Sequence, residues 1–401
     1  MSASLKLLSP LKLPCGVVLP NRFCKSAMSE NMAAKGGKPS DAILQLYKRW
    51  SQSGAGLLIS GNVMVDAAAL GEKDNVVIED ETHIELLKNW ANNAQADGAA
   101  LWMQINHPGR QAPKSINKEV VAPSAVGLSQ KALFTTPRPL TEDEIWQIIN
   151  RFGDTAHVAK KAGFKGVQIH GAHGYLVSQF LSSLTNQRED QWGGSLQNRA
   201  RFVLEVYRNM RMKVGHEYPI GIKINSADFQ RGAFTEEESL EVIDMLSEEG
   251  IDLIEVSGGT YERTAMMGHM QKESTRQREA YFADFIVKAR ERTATPLLLT
   301  GGFRTVRVME EALANDELDM VGLARPFALN PNLVNDFISG KLGKVEVPSI
   351  KVGVKAIDKM GFLDTLWYAM QLQRMGRGLE PKLSMSGWKP FGKVMKELVF
   401  G

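Results

Sequence analysis

Residues 219–225 read PIGIKIN, and residues 235–246 read TEEESLEVIDML. The first stretch alternates isoleucine with small or polar residues, which is typical of a β-strand. The second begins with a Thr-x-x-Glu capping box, formed by Thr235 and Glu238, and so predicts the start of a helix. Its apolar residues recur on one helical face, as expected of a helix that covers a sheet: Leu240, Ile243 and Leu246.

This strand-then-helix unit recurs along the chain. The connections are too long for hairpins, so the strands are expected to pair in parallel through right-handed crossovers. No Gly-x-Gly-x-x-Gly follows the first strand, which disfavours an open nucleotide-binding sheet. We therefore predict an α/β fold, a single (β/α)8 TIM barrel over residues 1–340 with a C-terminal extension over residues 341–401. The seven further β-type runs lie at residues 21–28, 56–61, 99–106, 166–171, 251–258, 296–302 and 319–325.

The composition excludes several classes of protein. The 401 residues include 48 Lys and Arg and 45 Asp and Glu, a formal net charge of +3 that is too small for a nucleic-acid partner. Cys15 and Cys24 are the only cysteines, which excludes a disulfide framework and a site of four thiolates. The N-terminus lacks the apolar core of a signal peptide, and no long uncharged apolar run occurs. We expect a cytoplasmic protein without membrane contact.

The C-terminal extension has a helical pattern of its own. We expect its helix to pack on the barrel or on a neighbouring subunit, in which case the chain is a homo-oligomer. A membrane-binding helix is disfavoured because no run of Lys or Arg lines the polar side of the pattern. The apolar residues that share one helical face are Phe362, Leu363, Leu366, Trp367 and Met370.

Polar side chains alternate with apolar ones inside the predicted barrel. In residues 219–225 the isoleucines take one side of the strand, which leaves Lys223 and Asn225 on the other. An unpartnered Lys inside a barrel costs desolvation energy. A polar, partly anionic ligand at the C-terminal mouth would compensate that charge. The alternative is an internal ion pair between Lys223 and Glu255.

Two glycine-containing loops follow the last two predicted strands. The first is Thr300-Gly301-Gly302-Phe303 and the second is Gly322-Leu323-Ala324-Arg325-Pro326. Loops at these positions commonly form the phosphate site of a (β/α)8 barrel, where glycines let backbone N–H groups approach the oxygens and an Arg adds charge-assisted bonds. Together the two loops predict a phosphate site at the barrel mouth.

The fourth predicted strand ends in His170-Gly171-Ala172-His173-Gly174-Tyr175-Leu176. Two histidines and a tyrosine at a strand end could bind a metal ion or could be hydrogen-bond donors to a ligand. No further His, Cys or carboxylate lies in the same loop, so the metal site is the weaker alternative.

These motifs, taken in chain order, closely resemble the old yellow enzyme family of NAD(P)H:flavin oxidoreductases, from about residue 5 to about residue 340. The resemblance implies a (β/α)8 barrel that holds non-covalent FMN at its C-terminal mouth, with NADH or NADPH as the hydride donor. It also implies a small electrophilic alkene as substrate, an α,β-unsaturated carbonyl or nitro compound whose activated C=C bond is reduced. Further matches are Asn21-Arg22, Ser26-Ala27-Met28-Ser29, Gly61, Gln104 and His107-Pro108-Gly109-Arg110.

The resemblance also implies roles for individual residues. His170 and His173 match the pair that hydrogen-bonds the substrate oxygen, and Tyr175 matches the proton donor. Gln104 and Lys223 match the residues at the pyrimidine edge of the flavin. No metal ion is implied. The residues matched to FMN binding are Ser26, Ala27, Met28, Ser29, Gly61, Gln104, Lys223, Gly301, Gly302, Phe303, Ala324 and Arg325.

Three positions depart from the family pattern. Ala27 stands where Pro is usual, and Trp192 replaces a usual Tyr. Ser29 occupies the position of a Cys or Thr near the flavin N5 and C4=O, so the redox tuning of a thiol is absent.

Two rival functions stay open at this point. A flavin-dependent dehydrogenase or demethylase of an amine or ring would use the same barrel in the opposite direction. Such relatives often carry an iron–sulfur cluster and extra domains, for which this chain lacks the cysteines and the length. An inert FMN-binding barrel is disfavoured by the two histidines and Tyr175 at a polar mouth.

Overall fold

The eight predicted strands form a closed parallel barrel. The computed structural model describes residues 5–258, 279, 282–354, 358 and 362–392. Each barrel strand lies within one of the predicted runs, and the eighth strand pairs with the first, so the (β/α)8 barrel is confirmed. In order around the barrel the strands are β1 (Phe23–Lys25), β2 (Leu57–Ile59), β3 (Ala100–Asn106), β4 (Gly166–Gly171), β5 (Ile220–Asn225), β6 (Leu253–Ser257), β7 (Leu297–Thr300) and β8 (Met320–Leu323).

Helices alternate with the strands and cover the barrel. The capping box expected at Thr235 is formed, and a second one is formed at Thr141, each with the Glu three residues later. The helices of the described ranges are α1 (Asp41–Ser51), α2 (Ile84–Gln95), α3 (Glu142–Lys161), α4 (Leu176–Leu181), α5 (Leu196–Val214), α6 (Glu236–Glu248), α7 (Ala283–Arg292), α8 (Val306–Ala314), α9 (Arg325–Leu329), α10 (Leu333–Ile338) and α11 (Phe362–Gly376).

An N-terminal hairpin closes one end of the barrel. Its strands, Leu11–Lys12 and Val18–Leu19, pair antiparallel. Leu11, Leu13 and Leu19 pack against inward-facing apolar side chains of the barrel strands, such as Trp102 and Leu253. The inward-facing residues two positions further along these strands are polar, Gln104 and Glu255. The interior therefore changes from apolar to polar along the strand direction, and its polar end is the C-terminal mouth.

The extension packs against the barrel helices through α11. This helix contacts α1 and α9, and its Leu363 and Trp367 side chains are buried. Leu366 and Met370 are half-buried, whereas the side chain of Phe362 lies outside the described part of the chain. Packing on a second subunit and the boundary at residue 340 stay predictions. No helix in the described ranges is long and apolar enough to cross a membrane.

One cation, Lys25, is buried between the barrel and α1. Its Nζ donates to Ile59 O at 2.7 Å and to Tyr47 Oη at 3.3 Å, and lies 4.3 Å from the centroid of the Trp50 ring. Tyr47 in turn donates to the Glu30 carboxylate. Burial lowers the pKa of Lys25 from 10.5 to about 8, although the charge of Glu30 opposes this shift.

The lowered pKa of Lys25 predicts that the folded protein becomes more stable as the pH rises above 8. Between pH 8 and 10.5 the unfolded chain retains a proton that the folded chain has released, so the free energy of unfolding rises with pH in that window. We expect Lys25→Met to abolish a gain on the order of 1–3 kcal/mol, as measured by urea unfolding at a series of pH values. Lys48→Met, at an exposed position of α1, is the control and should retain the gain. If the unfolding free energy changed equally with pH in wild type and in Lys25→Met, the lowered pKa of Lys25 would be contradicted.

Candidate active site

A cavity opens at the C-terminal mouth of the barrel. Its volume is about 290 Å³, close to the lower end of the roughly 300–1,000 Å³ of common ligand pockets. Its walls come from the ends of β1, β5, β6, β7 and β8, from the loop that holds Glu72, and from α11. Residues on the walls include Ala27, Met28, Ser29, Glu72, His173, Lys223, Ser257, Gly301, Gly302, Phe303, Ala324, Arg325, Leu366 and Ala369.

The two predicted phosphate loops lie side by side on one wall of this cavity. Gly301 and Gly302 have φ angles of 134° and 98°, a backbone region that favours glycine. The guanidinium-bearing residues Arg304 and Arg325 line the same wall. Ser26 fixes both loops at their base: its Oγ is hydrogen-bonded to Thr300 Oγ1 at 2.7 Å, and its backbone N–H donates to Leu323 O at 2.9 Å. The wall therefore offers flexible glycine backbone and positive charge to an anionic group.

A chain of buried polar side chains crosses the barrel beneath the cavity. Gln104 Nε2 donates to Gln168 Oε1 at 2.8 Å, and Gln168 Nε2 donates to Glu255 Oε2 at 2.7 Å. Glu255 Oε1 lies 2.9 Å from Lys223 Nζ. The ion pair that the sequence offered as an alternative to a ligand is thus present. Lys223 also lines the cavity, so pairing with Glu255 and facing a ligand are compatible.

The two histidines after β4 form an edge-to-face cluster with Tyr175. The ring centroids of His170 and His173 are 5.2 Å apart, and those of His170 and Tyr175 are 4.8 Å apart. Asn62 Nδ2 donates to Tyr175 Oη at 3.3 Å. His173 lines the cavity, whereas His170 and Tyr175 are buried directly against the wall that it forms. The cluster therefore reaches the cavity through His173.

His173 adopts a left-handed backbone conformation, with φ of 62°. For a non-glycine residue this conformation carries a cost that neighbouring contacts must offset. Its backbone N–H donates to Asn225 Oδ1 at 3.1 Å, and its carbonyl accepts from Gln111 Nε2 at 3.1 Å. The ring Nε2 is hydrogen-bonded to Ser257 Oγ at 2.9 Å. These contacts hold the imidazole at a fixed place on the cavity wall.

Both imidazoles of the cluster are neutral at neutral pH. Burial, reinforced by the charge of Lys223, lowers the pKa of His173 to about 3. Burial also lowers the pKa of His170, as do the neighbouring His173 and Lys223. The backbone N–H of Ala172 donates to His170 Nδ1 at 3.4 Å, so the neutral ring carries its proton on Nε2. Neutral imidazoles of this kind are hydrogen-bond donors to an oxygen without the cost of a buried charge.

Most of the residues predicted to bind the cofactor lie on the cavity wall. The exceptions are Ser26, Gly61 and Gln104, whose contacts lie behind it. Gly61 N–H donates to Glu30 Oε1 at 2.8 Å and belongs to the buried Lys25 cluster. The direct flavin contacts expected of Gly61 and Gln104 stay predictions. Among the described residues, no group of His, Cys, Asp and Glu side chains is arranged to hold a metal ion.

Sequence reasoning missed three parts of the wall. Glu72 lies in a loop with no periodic pattern, and Ser257 ends β6 as an ordinary polar residue. Helix α11 was expected from its apolar pattern, but that pattern does not indicate that its Leu366, Tyr368 and Ala369 line the cavity. A polar residue at the C-terminal end of a barrel strand, such as Ser257, is the one signal that could have been used.

The cavity fits FMN in charge. The glycine pair and Arg325 are suited to a phosphate monoester, and Lys223 reaches the same space from β5. Negative charge on a reduced flavin ring would be balanced by that buried cation. Fold and site together therefore define a flavin-binding barrel oxidoreductase.

Comparison with known proteins agrees with this class. The chain belongs to the NADH:flavin oxidoreductase / NADH oxidase family, whose model matches residues 6–341. It is an NADH- or NADPH-dependent flavin oxidoreductase of the old yellow enzyme type, with FMN as its cofactor. The family expected from the sequence is thus confirmed.

Curated relatives resemble the chain over most of its length. The NADH-dependent flavin oxidoreductase iliE of Hypocrea jecorina is 38% identical over 81% of this chain and 86% of its own length. The NADH-dependent flavin oxidoreductase iccE of Talaromyces variabilis is 34% identical over 94% of this chain and 99% of its own. An NADPH dehydrogenase of Clostridium acetobutylicum is 31% identical over 79% and 90%.

Solved structures share the barrel. Morphinone reductase in complex with tetrahydroNAD has a TM-score of 0.71 and 26% identity, covering 86% of this chain and 94% of its own. A 2-naphthoyl-CoA reductase complex has a TM-score of 0.78 and 27% identity, covering 84% of this chain and 52% of that one. The chain thus spans about half the length of that reductase.

Lys223 and Glu255 allow the ion pair to be separated from the role toward the flavin. Lys223→Met leaves the buried Glu255 carboxylate unpaired, which should cost about 3–5 kcal/mol of unfolding free energy. The double variant Lys223→Met/Glu255→Gln leaves no unpaired buried charge and should recover most of that loss. FMN affinity should stay weak in both variants, because both lack the cation at the cavity. Urea unfolding and FMN fluorescence titration measure the two effects. Recovery of FMN affinity in the double variant would show that Lys223 serves the ion pair alone.

Proposed function

We propose that the protein reduces activated C=C bonds of α,β-unsaturated carbonyl or nitro compounds. The observation that carries this proposal is the His170–His173–Tyr175 cluster at a cavity that accepts FMN. A carbonyl or nitro oxygen needs hydrogen-bond donors, and its α-carbon needs a proton. The cluster offers both kinds of group in contact with one another.

The two imidazoles polarise the substrate in this mechanism. The glycine loops, Arg325 and Lys223 would hold FMN. Bound FMN would supply hydride-transfer chemistry between NADH or NADPH and the β-carbon of the substrate. The neutral His170 and His173 donate hydrogen bonds to the substrate oxygen, where negative charge develops as the β-carbon is reduced. Because the rings are already fixed by Ser257, Asn225 and the backbone, little reorganisation accompanies the reaction.

Tyr175 supplies the proton. Its hydroxyl is buried, and Asn62 donates to the same oxygen atom, so the Tyr175 proton is directed to another acceptor. The substrate's α-carbon is that acceptor when the alkene lies against the cluster. A phenol buried against the cavity wall is a suitable general acid.

Replacing Tyr175 tests this assignment. In Tyr175→Phe the flavin should still be reduced by NADH or NADPH at nearly the wild-type rate. Oxidation of the reduced enzyme by an enone should slow by roughly 10²–10⁴-fold, the range typical of a lost general acid. Acceptors that need no proton on carbon, such as quinones, should be spared. Stopped-flow absorbance of each half-reaction gives these rates.

A matched variant and an opposite outcome complete the experiment. Tyr207→Phe removes a hydroxyl that bonds to Glu249 O and Gly250 O, away from the cavity, and should leave both half-reactions unchanged. Tyr175 also packs on His170, so its ring could act by positioning the histidines. Equal slowing for the enone and the quinone would mean that positioning is its role and that the proton comes from elsewhere.

A further inference from the structure

Glu72 is an acidic residue on the cavity wall that the mechanism above does not use. Ser29 Oγ donates a hydrogen bond to its Oε2 atom. The Asn75 side chain also hydrogen-bonds to the Glu72 carboxyl group. Glu72 lines the cavity together with Lys223 and His173, so its carboxyl group lies where a bound molecule can contact it.

The loop that carries Glu72 is held rigidly. The backbone N–H of Glu72 donates to Asn75 Oδ1 at 2.6 Å. The next turn is tied to the β1 loop, because Asp74 N–H donates to Asn31 Oδ1 at 2.9 Å. On the other side, Leu70 N–H donates to Asn117 Oδ1 at 2.7 Å. The carboxyl group is therefore fixed in place rather than free to turn into solvent.

The surroundings of Glu72 favour its protonated form. Burial raises the pKa of Glu72, and the nearby Glu30 and Asp74 carboxylates raise it further. Hydrogen bonds from Ser29 and Asn75 act in the opposite direction. The cations that share the cavity are Lys223, Arg304 and Arg325.

We propose that Glu72 is an acid–base group of the flavin site, which hydrogen-bonds the flavin ring and exchanges a proton with solvent as the ring changes charge. Hydride from NADH or NADPH brings two electrons and one proton to the ring, so the ring gains one negative charge. The added negative charge favours protonation of a neighbouring carboxylate. Glu72 then takes one proton from solvent on flavin reduction and releases it when hydride leaves for the acceptor, so it undergoes no net change over the cycle.

Ser29 is a positioning residue in this scheme. Its hydroxyl donates to Glu72 Oε2 and so holds the carboxyl group at the cavity wall. Serine keeps the carboxyl in place where a thiol would be a weaker donor. The proposal depends on FMN as the cofactor and not on the identity of the alkene substrate.

The midpoint potential of the bound flavin, measured against pH in the holoenzyme, tests this role. In wild type, flavin reduction should take up an additional proton over a range of pH. This window lies between the Glu72 pKa of the oxidised enzyme and the higher Glu72 pKa of the reduced enzyme. Glu72→Gln has no proton to exchange, so its potential should change less steeply with pH inside that window. Asp74→Asn, an exposed carboxylate in the same loop, is the matched control and should retain the window at slightly lower pH.

A second variant gives the proposal an independent test. Ser29→Ala removes a hydrogen bond that lowers the Glu72 pKa, so the window should move to higher pH. An unchanged window in Ser29→Ala, or parallel potential curves for Glu72→Gln and wild type at every pH, would overturn the proposal. Neither measurement requires an enone. A protein that shows the window but reduces no alkene would contradict the proposed function and leave the role of Glu72 intact.

Discussion

A positive charge inside a closed barrel is the constraint on which the site depends. Lys223 has almost no contact with bulk solvent, so its charge must be compensated within the protein. Glu255 provides the opposite charge, and Gln168 and Gln104 fix the carboxylate that provides it. The desolvation cost of the cation is thus offset during folding. A flavin that binds above Lys223 meets a charge already held in its working position, which is the arrangement that favours electrostatic stabilisation.

The same cation determines the state of the histidine cluster. Its charge, added to burial, keeps His170 and His173 uncharged. A protonated imidazole would place a second cation beside Lys223. In the proposed mechanism the site separates two tasks: Lys223 would balance negative charge on the flavin, and neutral N–H donors would hold the oxygen of the substrate.

Features that follow from strand periodicity could be predicted from the sequence. A period of two places Gln104, Lys223 and Glu255 inside the barrel as soon as the strands are identified. The left-handed backbone of His173 and the position of Glu72 could not be predicted in this way. Both depend on asparagine and glutamine side chains that join loops far apart in the chain, and no local pattern encodes such contacts. The cavity wall formed by α11 was also missed. Helical periodicity predicts which face of a helix is buried, but it does not predict what that face packs against.

The extension contacts the cavity wall near Arg325 through Tyr368. Tyr368 of α11 lies with its ring 5.9 Å from the Arg325 guanidinium carbon, and Tyr368 Oη donates to Pro348 O at 3.0 Å. A guanidinium beside an aromatic face loses rotational freedom before any ligand arrives. Arg325 also follows the second glycine loop, where an FMN phosphate is expected. If the FMN phosphate binds there, the ordering of Arg325 by the extension would reduce the entropy lost on binding, and α11 would thereby raise the affinity for the cofactor.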